Sequence, residues 1–198
     1  MARTIAKDHA DKRRQIMSCA ARLFAEQGFD GASMNAVAQA CGVSKANIYH
    51  YYDSKTALLF DLLDHHLCAL RDTVLQSANA HACAEDQLRS IISAVLSAYE
   101  GADNEHKIQL SAMSNLPKDL QNILQGYQRE MVAAVSSVLS ALAPDVFDKN
   151  PSKLRAATMS VFGMLNWHYM WNANATSSER EAYANLVSDL TLSGLNGI

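Results

Sequence analysis

The stretch SKANIYHYY, residues 44–52, concentrates polar side chains in an otherwise apolar chain. It holds a serine, a lysine, an asparagine, a histidine and three tyrosines. Lysine and asparagine side chains can hydrogen-bond the edges of guanine and adenine, and tyrosine, histidine and serine can donate to phosphates. These residue types predict a helix that reads DNA. The alternative is a solvated helix face whose tyrosines are half buried for packing.

The spacing within this stretch separates a buried face from an exposed one. If Ser44 caps a helix, Ile48 and Tyr52 share one face and can join a small core, together with Leu23, Phe24 and Val37. Lys45 and Asn47 then lie in the first turn, where a recognition helix meets base edges. We expect these two to read the base sequence. A second set is expected to contact DNA at its phosphates and so to fix the position of the helix in the groove: Ser33, Ser44, Tyr49, His50 and Lys55.

Two helices must precede and support this one. Apolar residues at helical spacing predict a first helix from about Asp8 to Gln27, ending at Gly28. Ser33 can cap a short second helix that Gly42 ends in a left-handed conformation. A short helix, a turn containing glycine and another short helix are typical of a helix-turn-helix.

The rest of the chain also has helical periodicity and no sustained alternation of period two. The first predicted helix of this part runs from Asp53 or Ser54 to about Ala78. Two more cover residues 88–99, ending at Gly101, and residues 120–142, ending before Pro144. The last two start at Asn150–Pro151 and at a capping box of Ser178 and Glu181, the latter helix reaching Gly194. We therefore predict an all-α fold of about nine helices. Residues 1–54 form a DNA-binding domain, joined by a long fourth helix to a ligand-binding and dimerisation domain over 55–198.

Composition and charge favour a folded chain with a basic end. The chain has 198 residues, 49% hydrophobic and 19% charged. Residues 1–55 hold eight Lys or Arg against five Asp or Glu, and the remainder holds nine against fifteen. A basic N-terminal part can approach a polyanion such as DNA. The sequence shows neither a membrane span nor a secretory signal, which predicts a cytoplasmic protein. Four scattered cysteines predict thiols buried in the core.

The N-terminal text resembles the TetR family of bacterial transcriptional regulators. The resemblance rests on IMSCAARLFAEQGF and AVAQACGVSKANIYHYYDSKTALL, within residues 16–63. Ala46, Asn47 and Tyr52 stand where glycine, threonine and phenylalanine are commoner, so relatives do not supply the operator sequence. The resemblance implies a homodimeric repressor of palindromic DNA. Its dimer interface would be the last two helices, at about 151–173 and 178–195; alternatively, those helix faces close the monomer.

The segment FGMLNWHYMW, residues 162–171, predicts one wall of an apolar effector pocket. The predicted pocket residues are Phe162, Asn166, Trp167, Met170 and Trp171, with Met113 and Tyr127. The alternative is that the aromatic residues fill a core or an interface. The text also resembles TetR-type regulators of the FadR and PaaR kind, which implies a coenzyme A thioester as effector. Candidates for the coenzyme's phosphates are Lys107, Arg129 and Lys153.

Other chemistry has weaker support in the residues. Asp61 and His65 lie four residues apart and Cys68 follows, close to His66, an arrangement that could bind a metal in an enzyme. A third fixed ligand is not evident, and solvated helix faces with a buried thiol are the simpler reading. There is no set of nucleophile, base and orienting group and no glycine-rich phosphate loop. We therefore expect no enzyme, metal or cofactor, and keep a helical ligand carrier as a further alternative.

Overall fold

The computed structural model describes residues 2–195 and 197, with side chains from residue 9 onward. In this part of the chain there are ten α-helices, one short 3₁₀ turn and no strand, which confirms the all-α prediction. The helices are α1 (Ala2–Gln27), α2 (Met34–Ala40), α3 (Lys45–Tyr51), α4 (Lys55–Asn79), α5 (Ala84–Ala98), α6 (Asp103–Ala112), α7 (Lys118–Leu142), α8 (Pro144–Phe147), α9 (Pro151–Trp171) and α10 (Ser177–Leu195), with the 3₁₀ turn at Met113–Asn115. None of the described helices is long and apolar enough to cross a membrane.

Serine caps start three of the first four helices where the sequence predicts them. Ser33 Oγ accepts a hydrogen bond from the Ala36 N–H at 3.1 Å, and Ser44 Oγ accepts one from Asn47 N–H at 3.1 Å. At the start of α4, Ser54 Oγ accepts a hydrogen bond from the Ala57 N–H at 3.0 Å. Each cap satisfies a backbone donor that would otherwise lack a partner in the helix.

The described chain forms two compact units. The first consists of the residues up to His66 together with Asn104–Leu124. Here α1, α2 and α3 bury a common apolar set, comprising Ile16, Leu23, Phe24, Val37, Ile48 and Tyr52. Gly42 ends α2 with φ +65°, a conformation that residues with a Cβ rarely adopt. The predicted helix-turn-helix is therefore present.

The second unit comprises Leu67–Asp103 and the residues from Gln125 onward. Its helix α5 packs on α10, where Arg89 Nη1 lies 2.8 Å from Asp189 Oδ1. The turn between α9 and α10 is held by the buried Arg180, which donates to the Ala175 carbonyl at 3.1 Å and contacts Asp103 at 3.3 Å.

Two local predictions in the second unit are wrong. The capping box of α10 is formed by Thr176 and Glu179 rather than by Ser178 and Glu181: Thr176 N–H donates to Glu179 Oε2 at 2.8 Å, and Glu179 N–H donates to Thr176 Oγ1 at 3.3 Å. Both pairs have the same spacing, so the sequence left the register open. Cys83 is exposed before α5 and fills no core.

Candidate nucleic-acid interface and effector region

Helix α3 presents a polar face because its apolar face is fixed in the first unit. Ile48 is fully buried and Tyr52 is 5% exposed. Lys45, Asn47 and Tyr49 are exposed on the other side of the helix. The Lys45 ammonium lies 6.0 Å from the centre of the Tyr49 ring. The side chains predicted to read bases are therefore open to a partner, on a helix whose orientation is set by its core contacts.

Two residues at the C-terminal end of α3, His9 of α1 and Tyr51 of α3 itself, were missed by the sequence predictions. The Tyr51 ring lies 4.6 Å from that of His9 in α1, and the His50 ring lies 6.4 Å from His9. His9 and His50 are exposed, and Tyr51 is half-buried. Local sequence patterns contain no signal for this cluster, because about 40 residues separate His9 from His50 and Tyr51 and only the fold brings the rings together.

The C-terminal end of α3 is anchored by a polar network. The Tyr52 hydroxyl donates to Asp61 Oδ2 at 2.5 Å. Asp61 also accepts two hydrogen bonds from Arg13, from Nε at 2.8 Å and from Nη2 at 2.5 Å. Burial, and next the hydrogen bond to Asp61, raise the pKa of the Tyr52 phenol above its usual value. Tyr52 therefore remains a hydrogen-bond donor that joins α3 to α1 and α4.

Lys55 is placed differently from the prediction of a phosphate contact at an open surface. Its ammonium lies 2.6 Å from the Phe29 carbonyl oxygen, 2.8 Å from that of Ala32 and 3.4 Å from that of Asp30. It also lies 4.3 Å from the centre of the Phe29 ring. Lys55 thus secures the loop that leads into the Ser33 cap of α2, and its contact with a phosphate stays a prediction.

The predicted effector residues divide into an exposed and a half-buried set. Trp167, Met170 and Trp171 are 59%, 54% and 57% exposed in the single chain. The half-buried set consists of Phe162, Asn166, Met113 and Tyr127. Their contact with an effector stays a prediction.

Asn166 and Tyr127 have partners in the second unit. Asn166 Oδ1 accepts a hydrogen bond from the buried Tyr99 hydroxyl at 2.8 Å. The Arg71 guanidinium lies 4.8 Å from the centre of the Tyr127 ring. Burial raises the pKa of the Tyr99 phenol, which keeps it protonated as a donor. The pair joins α9 to Tyr99, the residue that follows the last residue of α5.

Comparison with known proteins decides the family. The family model of bacterial regulatory proteins of the tetR family matches residues 16–62, which include α2, α3 and the Ser33 and Ser44 caps. The tetracyclin repressor-like C-terminal domain model matches residues 81–195. The chain belongs to the TetR family. It is a DNA-binding transcriptional regulator and not an enzyme, as predicted from its sequence.

Two similar proteins match nearly the whole TetR-family chain, and a third matches a shorter stretch. A TetR-family transcriptional regulator from Bordetella parapertussis 12822 is 33% identical with a TM-score of 0.86, over 94% of this chain and 96% of that one. The fatty acid metabolism regulator protein of Bacillus subtilis is 25% identical over 96% of this chain and 98% of its own length. The match with the HTH-type transcriptional repressor Rv1474c of Mycobacterium tuberculosis is 44% identical over 59 residues, 29% of this chain and 32% of that protein.

One similar solved structure contains both a coenzyme A thioester and operator DNA. The crystal structure of AibR in complex with isovaleryl coenzyme A and operator DNA is 23% identical, with a TM-score of 0.77, over 90% of this chain and 97% of that one. At this identity the likeness shows the shared TetR-family fold alone.

The metal-site alternative has little geometric support in this TetR-family chain. Among the described residues no group of three or more His, Cys, Asp or Glu side chains could hold a metal ion. Asp61 is bound by Arg13 and Tyr52, and the Cys68 thiol lies 3.3 Å from Arg71 Nη2.

One of the predicted candidates for binding the phosphates of coenzyme A, Lys107, donates to the Ala25 carbonyl at 2.7 Å.

Proposed function

We propose that this chain is a homodimeric repressor that binds palindromic operator DNA through α3 and is released by a small-molecule effector. The observation that supports DNA binding most directly is the exposed set of Lys45, Asn47 and Tyr49 on a helix capped by Ser44. A protein that acts on DNA in this way works in the bacterial cytoplasm.

The two ends of α3 have different tasks. Lys45 and Asn47 lie in its first turn and contact base edges in the major groove, as donor and as bidentate partner. Tyr49 and His50 follow and donate to phosphates on the groove walls. The Ser33 hydroxyl accepts the cap hydrogen bond through its oxygen, so its proton can be donated to a phosphate.

Exposed apolar side chains on the last two helices support a homodimer. Along α9, Met159, Trp167 and Trp171 recur at multiples of four residues and are about half exposed. Along α10, Leu186 and Leu190 have the same spacing and exposure. Residues four apart share a helix face, so each helix offers an apolar stripe to a second copy. A two-fold dimer would set two α3 helices on successive major grooves, about 34–36 Å apart.

We propose a coenzyme A thioester as the effector, from fatty-acid or aromatic-acid catabolism. The named ligand of AibR and the similarity to a fatty acid metabolism regulator support this class. In this chain the Tyr99–Asn166 pair would orient a polar group of the ligand. A hydrophobic ligand without coenzyme A, as in efflux regulation, is the second candidate, since Phe162 and Tyr127 suit any apolar group.

Release follows from linkage between the two binding sites. If the effector binds best to one arrangement of the DNA-binding helices and DNA to another, each ligand weakens the other by the same factor. A thousandfold loss of operator affinity requires about 4 kcal/mol of coupling. Helix α4 contributes residues to both compact units and is our proposed connection.

Selection from a random-sequence duplex pool tests the DNA-binding proposal. We expect the purified protein to enrich a motif with two-fold symmetry. Enrichment of no motif would contradict the proposal. A motif without two-fold symmetry would retain DNA binding and reject the dimeric mode.

Sedimentation tests the dimer with a matched pair of exposed leucines. Leu190→Glu places a charge on the α10 stripe, and Leu110→Glu makes the same change on α6, where Leu110 is 51% exposed. We expect the wild type and Leu110→Glu to sediment as dimers and Leu190→Glu as a monomer. A monomeric wild type, or a dimer unaffected by Leu190→Glu, would contradict the proposed interface.

Fluorescence anisotropy of the enriched duplex tests the effector. We expect one member of a panel of aliphatic and aromatic coenzyme A thioesters to release the wild-type protein, and Asn166→Ala to lose this response while still binding DNA. Release by an apolar compound and by no thioester would favour the second candidate.

Trp167→Ala tests whether Trp167 contacts the effector or the second copy of the chain. Loss of the effector response with the dimer intact places Trp167 at the ligand, and loss of the dimer places it in the interface.

A further inference from the structure

His9 lies next to the exposed end of α3, although it belongs to α1. Its ring is 4.6 Å from the Tyr51 ring at an interplanar angle of 33°, and 6.4 Å from the His50 ring at 80°. His50 is a predicted phosphate contact and, like His9, is exposed. Two imidazoles from different helices thus share one surface beside the proposed recognition helix.

Near His9, helix α1 carries Lys12 and the arginines of two ion pairs. One turn further along the helix, Lys12 donates to Gln15 at 3.0 Å and Arg13 is bound to Asp61 of α4. Asp11 is paired with Arg14. From α3 the titratable groups that face His9 are Tyr51 and His50.

We propose that His9 is an additional DNA-phosphate contact and extends the interface from the helix-turn-helix onto α1. This inference rests on the proposed function. B-DNA has one negative charge for about every 1.7 Å of helix axis, so any stretch of its backbone offers several phosphates. The His9 and His50 rings, 6.4 Å apart, present two donors to such a backbone from one surface. The imidazolium form donates from both nitrogens and adds a positive charge.

Tyr51 is the positioning residue for this contact. Its half-buried ring lies against the His9 imidazole and limits the directions in which that side chain can point. A cationic ring near an aromatic face is also favoured electrostatically. The proposed phosphate contact therefore depends on the Tyr51 ring as well as on the His9 imidazole.

The test compares His9→Gln with His65→Gln, the same change at an exposed position of α4. The probe is the duplex that the wild-type protein enriches, and its affinity is measured at about 50 mM and about 200 mM salt. We expect His9→Gln to bind roughly fivefold more weakly than wild type at the lower salt concentration and to show a shallower salt dependence, because one phosphate contact is lost. His65→Gln should match the wild type at both concentrations, and equal melting temperatures would show that each variant is folded.

Each outcome separates this inference from the function on which it rests. Equal affinities of His9→Gln and wild type at both salt concentrations would overturn the His9 contact while leaving the repressor intact. A weaker affinity with an unchanged salt dependence would assign His9 a packing role and also overturn the proposal. Failure of the wild type to bind any duplex would instead reject the proposed function.

Discussion

Arg13 and Asp61 form a bidentate ion pair between α1 and α4, with N–O distances of 2.5 and 2.8 Å. The same carboxylate accepts the hydroxyl of Tyr52, the C-cap residue of α3. One acidic side chain therefore links three helices of the DNA-binding unit. It fixes the end of α3 opposite to the end that is proposed to read bases.

Asp61→Asn is expected to lower the free energy of unfolding by about 1–3 kcal/mol, because the amide keeps one acceptor oxygen but loses the charge. Chemical denaturation measures this change. Asp72→Asn is the control, since Asp72 lies on the same helix with its side chain 64% exposed in a pair with Arg71. We expect that control to stay within about 0.5 kcal/mol of wild type. Equal losses of unfolding free energy in both variants would show that the contacts of Asp61 with three helices stabilise the protein no more than an exposed ion pair does.

Lys55→Ala tests whether this lysine acts on the loop or on DNA. Loss of its hydrogen bonds to the Phe29 and Ala32 carbonyls should lower the free energy of unfolding by about 2 kcal/mol and weaken binding to all DNA sequences alike. Lys149→Ala, at an exposed position, should change neither. Weaker DNA binding with unchanged stability would restore Lys55 as a direct phosphate contact.

The positions of most helices could be predicted because their end signals are local. Ser33, Ser44 and Asn150 cap their helices as predicted, since each cap involves a backbone N–H three residues away. Helices α6 and α8 were not foreseen: α6 has a weak apolar pattern and α8 is only four residues long. Side-chain partners brought together by the tertiary fold, such as those of Lys55 and His9, have no periodic signature in the sequence.

Substitutions in α3 should separate sequence reading from general affinity. Asn47→Ala is expected to reduce the preference among single-base variants of the enriched duplex, since a bidentate base contact contributes about 1–3 kcal/mol of discrimination. Tyr49→Phe should weaken all variants by a similar factor because it removes only a phosphate donor. Competition binding across the duplex variants measures both effects. The reverse pattern would show that the two residues have exchanged roles.

Buried histidine should make the first unit sensitive to acid. Burial, and next the charges of His106 and His65, lower the pKa of His66 to about 4. Between an unfolded-state pKa of about 6.5 and this value only the unfolded chain takes up the proton, so stability falls by about 1.4 kcal/mol per pH unit as the pH drops. The total loss from His66 is on the order of 3 kcal/mol.

Denaturation of His66→Gln and His81→Gln across this pH range checks the prediction. Other groups also titrate, so the comparison is between slopes. We expect a shallower dependence in His66→Gln and a wild-type slope in His81→Gln, because His81 is exposed and does not contribute to the pKa shift of His66. Parallel curves for all three proteins would contradict the assigned role of His66.

The salt dependence of DNA binding tests the central claim most directly. Affinity for the enriched duplex would be measured by fluorescence anisotropy from about 50 to 200 mM salt. A dimer that makes about six phosphate contacts should lose roughly a thousandfold in affinity over that range, because each contact releases condensed counterions. A flat response would contradict the account, since α3 and its neighbours could then not be bound to the DNA backbone.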